Sequence, residues 1–268
     1  MIRILIFIAL SVGLLACSGN SVPESEFPTR SVSVGGREYK FRIYVPKYRD
    51  PAAHLPVMLY LHGSGARGDD NQAQLEGMQS YVRQNPERFN FIIVIPQCRP
   101  GAFWAGEMLE QAMAALDQTV KEFNGDPNRL YLAGYSMGGF GVWQTAVTYP
   151  NRFTALVPIA GGIKPQGRVP EEDMGMLSPA VRRAAESEDP YKAFAAAIGK
   201  TPVWVFHGGA DDVVSPEGSR QMVRTLKANG NPNVRYTEFE SVGHDSVANV
   251  FAEPELFDWL ARQSRAVR

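Results

Sequence analysis

The segment from Leu130 to Gly139 limits what this chain can fold into more than any other part of the sequence. Four apolar residues run into Gly134-Tyr135-Ser136-Met137-Gly138, and a helical pattern follows over residues 136–148. A G-x-S-x-G pattern directly after a strand and directly before a helix places its serine on a strained turn above the sheet. The same letters also occur by chance at a glycine-rich helix start capped by serine. The flanking strand and helix favour the functional interpretation, with Ser136 as a nucleophile.

Short apolar runs bounded by Gly, Pro or Asn recur along the chain, and amphipathic segments separate them. Continuous apolar runs are typical of strands in a parallel sheet that is covered on both faces. The predicted strands are 57–61, 91–95, 130–133, 155–159, 203–206 and 234–239, and the predicted helices are 107–123, 136–148, 218–228 and 254–263. Two earlier strands, 31–34 and 39–45, are joined by Gly35-Gly36, a strong hairpin signal. We predict an α/β fold, a doubly wound and mostly parallel sheet of about eight strands with an N-terminal antiparallel hairpin.

Composition places this fold in one domain, which we assign to residues 30–268. The chain has 268 residues, of which 44% are hydrophobic and 21% charged, as in an ordinary globular protein. Its net charge is −1 and no run of like charges occurs, so no nucleic-acid partner is expected. Neither cysteine has zinc-ligand spacing, and we expect no metal and no cofactor. Residues 163–202 form a longer connection, with two short helices, that is a candidate lid.

The first 17 residues predict a lipoprotein signal peptide rather than part of the fold. Arg3 precedes an apolar run, residues 4–15, that is too short to span a bilayer as a retained helix. Ala16-Cys17 resembles a lipobox, whose cysteine is acylated and becomes the first mature residue; the alternative is an ordinary signal peptide with a chance cysteine. Residues 18–29 then form a tether. We expect a protein of the cell envelope, which is either periplasmic or anchored to a membrane, with the outer membrane preferred. Its only attachment to that membrane would be the lipid at Cys17.

A serine hydroxyl needs a base, and the position of His244 singles it out among the four histidines. It lies after the last predicted strand and before the last predicted helix, where the chain order serine, acid, histidine requires the base. His62 and His207 end strands and precede glycine, so we interpret them as structural turn residues. His244 is therefore the predicted base.

The acid is expected after the strand at residues 203–206, where Asp211 and Asp212 stand side by side. A carboxylate at this position would fix the imidazole tautomer and stabilise the imidazolium. Adjacent residues point in different directions, so only one of the two can hold His244. The residues alone leave this choice open.

Two backbone N–H groups are needed to bind the oxyanion of an acyl-transfer reaction. Met137 supplies the first, immediately after the nucleophile. The second should come from the loop His62-Gly63-Ser64-Gly65, with Ser64 preferred and Gly63 as the alternative. Two glycines are equally what a tight turn requires, so this motif takes its weight from its place in the chain.

The substrate pocket is expected beside the nucleophile, outside the carboxyl ends of the parallel strands. Gln97 and Trp104 lie on the loop after the strand at 91–95, and Tyr135 precedes the nucleophile. Trp104 is a candidate pocket wall, although a tryptophan that packs in the core fits the sequence equally well.

These segments together resemble the bacterial α/β-hydrolases called predicted peptidases, which are similar to phospholipase/carboxylesterase, dienelactone hydrolase and feruloyl-esterase-like proteins. The resemblance covers roughly residues 32–260 and rests on residues 62–71, 96–98, 134–139, 207–214 and 243–246. It implies the α/β-hydrolase fold in a lipoprotein form. It also implies that the acid is Asp211, four residues after His207.

The expected function is hydrolysis of a carboxylic ester through an acyl-enzyme, on a small-molecule or oligosaccharide substrate. One alternative is a peptidase that uses the same three residues. The other is a non-catalytic binding protein of the cell envelope, although such proteins usually lose the serine or the histidine, and this chain keeps both.

Overall fold

The structure, a computed structural model, describes residues 26–47, 50, 52–163 and 176–265. The predicted signal peptide, its Cys17 and most of the predicted tether lie outside the described residues. Within these ranges, no helix combines the length and the apolar character needed to cross a membrane.

One sheet of eight strands organises the described residues, in the order β1-β2-β4-β3-β5-β6-β7-β8. The strands are Thr29–Val34 (β1), Arg37–Tyr44 (β2), Val57–Leu61 (β3), Ile92–Pro96 (β4), Leu130–Tyr135 (β5), Ala155–Ile159 (β6), Val203–Gly208 (β7) and Val234–Phe239 (β8). β1 and β2 form an antiparallel hairpin, β2 is antiparallel to β4, and the remaining neighbours are parallel. The predicted fold class is therefore confirmed.

Helices cover both faces of this sheet. They are Met78–Gln84 (α1), Glu107–Glu122 (α2), Met137–Thr148 (α3), Pro179–Ala185 (α4), Pro190–Ile198 (α5), Glu217–Ala228 (α6), Val247–Ala252 (α7) and Leu256–Ala261 (α8). Helices α4 and α5 are the two short helices expected in the 163–202 connection. The helix expected over 254–263 is shorter than predicted, and α7 precedes it.

Alternation along the central strand β3 divides the core into two layers. Val57, Leu59 and Leu61 join the cluster that α2 to α6 cover, whereas Met58 and Tyr60 join the cluster that α1, α7 and α8 cover. All five residues are buried, because successive side chains of a strand point to opposite faces and both faces are covered here.

The folded domain begins earlier than the predicted boundary at residue 30. Phe27 is only 1% exposed and packs against Tyr44, with 5.7 Å between ring centroids. Thr29 is already the first residue of β1. Residues 26–29 thus belong to the fold and not to the tether, because the aromatic side chain at position 27 is buried in the core.

Strand β5 and helix α3 approach so closely that glycine is required at the crossing. A Cβ on Gly138 would lie 1.8 Å from the carbonyl oxygen of Leu61, and a Cβ on Gly134 would lie 2.4 Å from the carbonyl oxygen of Gly138. Backbone atoms occupy both positions, so no side-chain rotation relieves the clash. The crossing therefore sets how α3 lies on the sheet.

Gly138→Ala should destabilise the protein by ~3 kcal/mol or more, because backbone must move to admit the methyl group. Gly65→Ala is the matched control, since a Cβ at Gly65 meets nothing within 4 Å. Urea denaturation of both variants measures the free energy of unfolding. Equal stability of the two variants would contradict the close approach described here.

Candidate active site

The backbone at the end of β5 holds Ser136 in a strained conformation. Its φ and ψ angles are 53° and −116°, a region that residues with a side chain rarely adopt. The N–H of Ser136 donates to the carbonyl oxygen of Ile159 at 2.9 Å, and its carbonyl oxygen accepts from the N–H of Phe140 at 3.1 Å. These bonds fix the turn on which the hydroxyl is presented.

Ser136, His244 and Asp211 form a continuous chain of hydrogen bonds. The Oγ atom of Ser136 lies 2.8 Å from Nε2 of His244, and Nδ1 of His244 lies 2.8 Å from Oδ2 of Asp211. An ionised carboxylate can only accept, so Nδ1 of His244 carries the proton and Nε2 accepts from the serine hydroxyl. This arrangement allows the imidazole to take a proton from the serine.

The second oxygen of Asp211 is held by backbone N–H groups. Oδ1 accepts from Val213 at 2.9 Å and from Val214 at 2.8 Å. Burial alone would raise the pKa of this carboxyl group, but the bonds from Val214, His244 and Val213 hold its pKa below the usual value. Asp212 is exposed and is not the residue that contacts His244.

Behind Asp211 lies a second, fully buried histidine. Nε2 of His207 is 2.9 Å from the carbonyl oxygen of Val214 and 3.2 Å from Oδ2 of Asp211, and Nδ1 is 2.8 Å from Oγ of Ser219. Burial lowers the pKa of His207. Sequence reasoning treated His207 as a turn residue and missed its contact with the acid, although its place four residues before Asp211 was a signal.

The loop after β3 reaches the nucleophile through Gly63. A Cβ on Gly63 would lie 3.1 Å from Cδ1 of Tyr135 and 3.5 Å from Cβ of Ser136. Met137 is the first residue of α3, so its N–H has no partner within the helix. In the described part of the chain, the N–H groups of Met137, Gly63 and Ser64 donate no hydrogen bond. Ser64 and Gly63 therefore both remain candidates for the second oxyanion donor.

Trp104 is buried in the core beneath this loop, which matches the core-packing alternative and not the pocket wall. The side chain is 1% exposed, and its Nε1 donates to the carbonyl oxygen of His62 at 2.9 Å. The His62 ring packs edge-on against it and accepts from the N–H of Cys98 at 3.0 Å. Burial lowers the pKa of His62 to about 4, so the ring is neutral and can accept this bond.

Gln97 also supports the loop and does not line a pocket. It is 5% exposed, and its side-chain oxygen accepts from the N–H of Asn71 at 2.7 Å. Its amide nitrogen donates to Asp70 at 2.8 Å and to the carbonyl oxygen of Ala66 at 3.3 Å. The polar groups of Gln97 are thus engaged inside the protein, which corrects its prediction as a pocket residue.

Tyr135 is the predicted pocket residue that contacts the hydrogen-bonded chain. Its ring centroid lies 5.3 Å from that of His244, and the side chain is half-buried. Burial, together with the charges of Asp245 and Asp211, raises the pKa of its hydroxyl to about 12. The hydroxyl is therefore neutral at ordinary pH and can act as a hydrogen-bond donor.

The described ranges hold no cluster of three or more His, Cys, Asp or Glu side chains placed to bind a metal ion. Asp211 and His244 can together activate Ser136 as a nucleophile.

Comparison with known proteins finds a secreted protein and two esterases that are similar to most of the chain. A secreted protein of uncharacterised role from Arthroderma benhamiae is 27% identical over 73% of this chain and 22% of its own length. Feruloyl esterase B of Thermothelomyces thermophilus is 22% identical over 95% of this chain and 97% of its own length. A thermostable esterase of known structure has a TM-score of 0.72 and 28% identity, covering 90% of this chain and 64% of that chain. This chain thus spans less than a quarter of the first relative.

The family assignment rests on the region that contains the candidate nucleophile, acid and base. The sequence profile of the prolyl oligopeptidase family matches residues 102–265, which is more than half of the chain. The α/β-hydrolase resemblance expected from the motifs agrees with this match and with the esterase of known structure. The chain belongs to the prolyl oligopeptidase family.

Proposed function

We propose that this chain hydrolyses carboxylic esters through an acyl-enzyme, and the observation that carries the proposal is the hydrogen-bonded chain from Asp211 through His244 to Ser136. Oγ of Ser136 attacks the ester carbonyl while Nε2 of His244 takes its proton. The N–H group of Met137 and that of Ser64, with Gly63 as the alternative, bind the oxyanion that forms. Asp211 orients the imidazole and stabilises its charged form.

The attack of Oγ on the carbonyl gives a tetrahedral intermediate, which collapses and expels the alcohol. The alcohol receives the proton from His244. The acyl group remains on Ser136 as an ester. Water attacks this ester with His244 again as the base, which releases the acid and restores the serine hydroxyl. Every step uses protein groups and water.

The relatives support ester bonds as the substrate. Feruloyl esterase B aligns over nearly its whole length, and acetylxylan esterase A of Emericella nidulans is 25% identical over 66% of this chain. We propose a small-molecule or oligosaccharide ester on this basis. A non-catalytic binding protein has less support, because a scaffold that only binds has no need of an assembled Ser-His-Asp chain.

Amide hydrolysis is the second candidate, and the prolyl oligopeptidase family match favours it. The same three groups can cleave an amide if His244 protonates the departing amine. An acylaminoacyl peptidase shares the fold with a TM-score of 0.64, although its 16% identity carries no more than the fold. Matched ester and amide substrates separate the two candidates.

We further propose that Cys17 carries a lipid anchor in the cell envelope. The support is the charged, apolar and small-residue pattern of residues 1–17. The Arthroderma benhamiae relative is called a secreted protein, which agrees with export from the cell.

The wild-type protein should hydrolyse 4-nitrophenyl acetate with a kcat/KM far above that for 4-nitroacetanilide, its amide counterpart. Ser136→Ala should lower kcat for the ester by about four orders of magnitude or more, because the nucleophile is lost. Ser80→Ala, an exposed serine on α1, is the control and should retain full activity. Ester hydrolysis that survives in Ser136→Ala would contradict the proposal, and a faster anilide would favour a peptidase.

Asp211→Asn should lower kcat for the same ester by ~10⁴-fold, since an amide in place of the carboxylate favours the wrong imidazole tautomer. Asp212→Asn, its exposed neighbour, should change kcat by no more than about threefold. Circular dichroism should show that both variants are folded. A crippled Asp212→Asn beside an active Asp211→Asn would place the acid one residue later.

Cys17→Ser should abolish lipidation in a bacterial expression host. The wild-type protein should incorporate labelled palmitate and sediment with membranes, whereas the variant should do neither. Cys98→Ser is the control, because Cys98 is buried within the fold. Unchanged labelling of Cys17→Ser would overturn the lipid anchor and leave the enzymatic proposal intact.

A further inference from the structure

Arg67, in the loop that follows β3, has an unpaired guanidinium. In the described ranges it makes no ion pair and no side-chain hydrogen bond, and its Nε atom is buried without a partner. Two arginines illustrate the contrast: Arg99 contacts Glu107 at 2.9 Å, and Arg220 contacts Glu238 at 2.6 Å. Because no described acceptor binds the remaining N–H groups of this partly buried side chain, they are free to donate to a ligand.

The backbone on either side of Arg67 is fixed. The N–H of Gly68 donates to the carbonyl oxygen of Cys98 at 2.9 Å, and the carbonyl oxygen of Ala66 accepts from Gln97 at 3.3 Å. The N–H of Arg67 itself closes a turn on the carbonyl oxygen of Ser64 at 3.3 Å. The side chain therefore projects from a rigid support.

This support belongs to the catalytic end of the sheet. The loop begins at Gly63, which lies against Ser136. Burial has the largest effect on the pKa of His62, and the charge of Arg67 lowers that pKa further. Arg67 lies on the same loop as Gly63, four residues after it.

The guanidinium is also oriented. Its central carbon lies 4.5 Å from the ring centroid of Phe103, so the positive charge lies over the aromatic ring. In the described ranges Asp70 forms no ion pair with it; Oδ1 of Asp70 accepts from Gln97 and from the N–H groups of Gln72 and Ala73. A positive charge is thus held in place before any ligand arrives.

We propose that Arg67 binds a carboxylate on the substrate. Preferred substrates are then esters whose acid or alcohol portion carries a free carboxylate in addition to the ester group. A planar guanidinium can bind a carboxylate through two parallel hydrogen bonds, and a single positive charge matches a singly charged anion. This inference rests on the proposed ester hydrolysis and adds its substrate class.

Matched substrate pairs test the inference. The first pair is 4-carboxyphenyl acetate and 4-carbamoylphenyl acetate, which carry the group on the alcohol portion. The second pair is monophenyl glutarate and the phenyl ester of glutaramic acid, which carry it on the acid portion. For the wild-type protein, kcat/KM should favour the carboxylate by about tenfold or more in at least one pair.

Arg67→Gln should reduce the ratio of kcat/KM between the carboxylate and the carboxamide substrate to near one, because it keeps polarity and length but removes the charge. Arg67→Lys should leave an intermediate ratio, since it keeps the charge but not the planar pair of donors. Arg99→Gln is the control and should leave the ratio unchanged, because Arg99 is already paired with Glu107. The wild-type ratio should also fall as salt is added.

Two results would overturn the inference: a wild-type protein that does not distinguish the members of either pair, or a ratio that persists in Arg67→Gln. If Arg67→Gln does not fold, the Arg67→Lys ratio and the wild-type pairs decide the matter. A wild-type protein that hydrolyses neutral esters but ignores the carboxylate retains the proposed function and loses only this inference. Absence of all ester hydrolysis by folded protein overturns both.

Discussion

The close approach of α3 to strands β3 and β5 is the constraint on which the rest of the site depends. Because Gly138 lies against the carbonyl of Leu61, the chain must turn sharply at Ser136 and adopt a positive φ there. A residue in such a region costs ~1–3 kcal/mol, and the burial of Val142 and Trp143 on α3 offsets this cost. The same crossing brings Gly63 beside the serine, so the candidate nucleophile and the loop that follows β3 are positioned together.

Burial and hydrogen bonds around this turn act on the charge states of Asp211 and His62. Asp211 is buried, and donors from the backbone and from His244 keep it ionised. His207 approaches the same carboxylate from behind, while burial keeps His62 neutral under the loop that follows β3. A fixed carboxylate beside one mobile proton on His244 is what a preorganised general base requires.

The sequence was most informative where periodicity and chain order apply. The runs at 57–61 and 155–159 are strands with the predicted ends, since continuous apolar runs have few alternatives in a covered sheet. Residues 234–239 also form a strand with the predicted ends, although Arg235, Thr237 and Glu238 interrupt their apolar residues. Ser136 and His244 followed from motif context and order along the chain. The choice between Asp211 and Asp212 needed the family resemblance, because a one-residue difference in a loop is a question of direction that composition does not encode.

Sequence was least informative about which loop side chains face inward. Gln97 was expected in the pocket, and Trp104 either there or in the core. Both are buried, and both bind carbonyl oxygens at the loop that follows β3. The short helix α1 was missed because its seven residues carry too little periodicity to stand out. The unpaired state of Arg67 depends on where neighbouring carboxylates point, which only coordinates reveal.

Trapping the covalent intermediate tests the central claim most directly. Folded protein is mixed with 4-nitrophenyl acetate, quenched in acid within milliseconds to seconds, digested and analysed by mass spectrometry. The account predicts an acetyl group on the peptide that contains Ser136, which forms with the burst of 4-nitrophenol and decays at the steady-state rate. Steady turnover with no acetyl group on Ser136, or with the group on another residue, would contradict it.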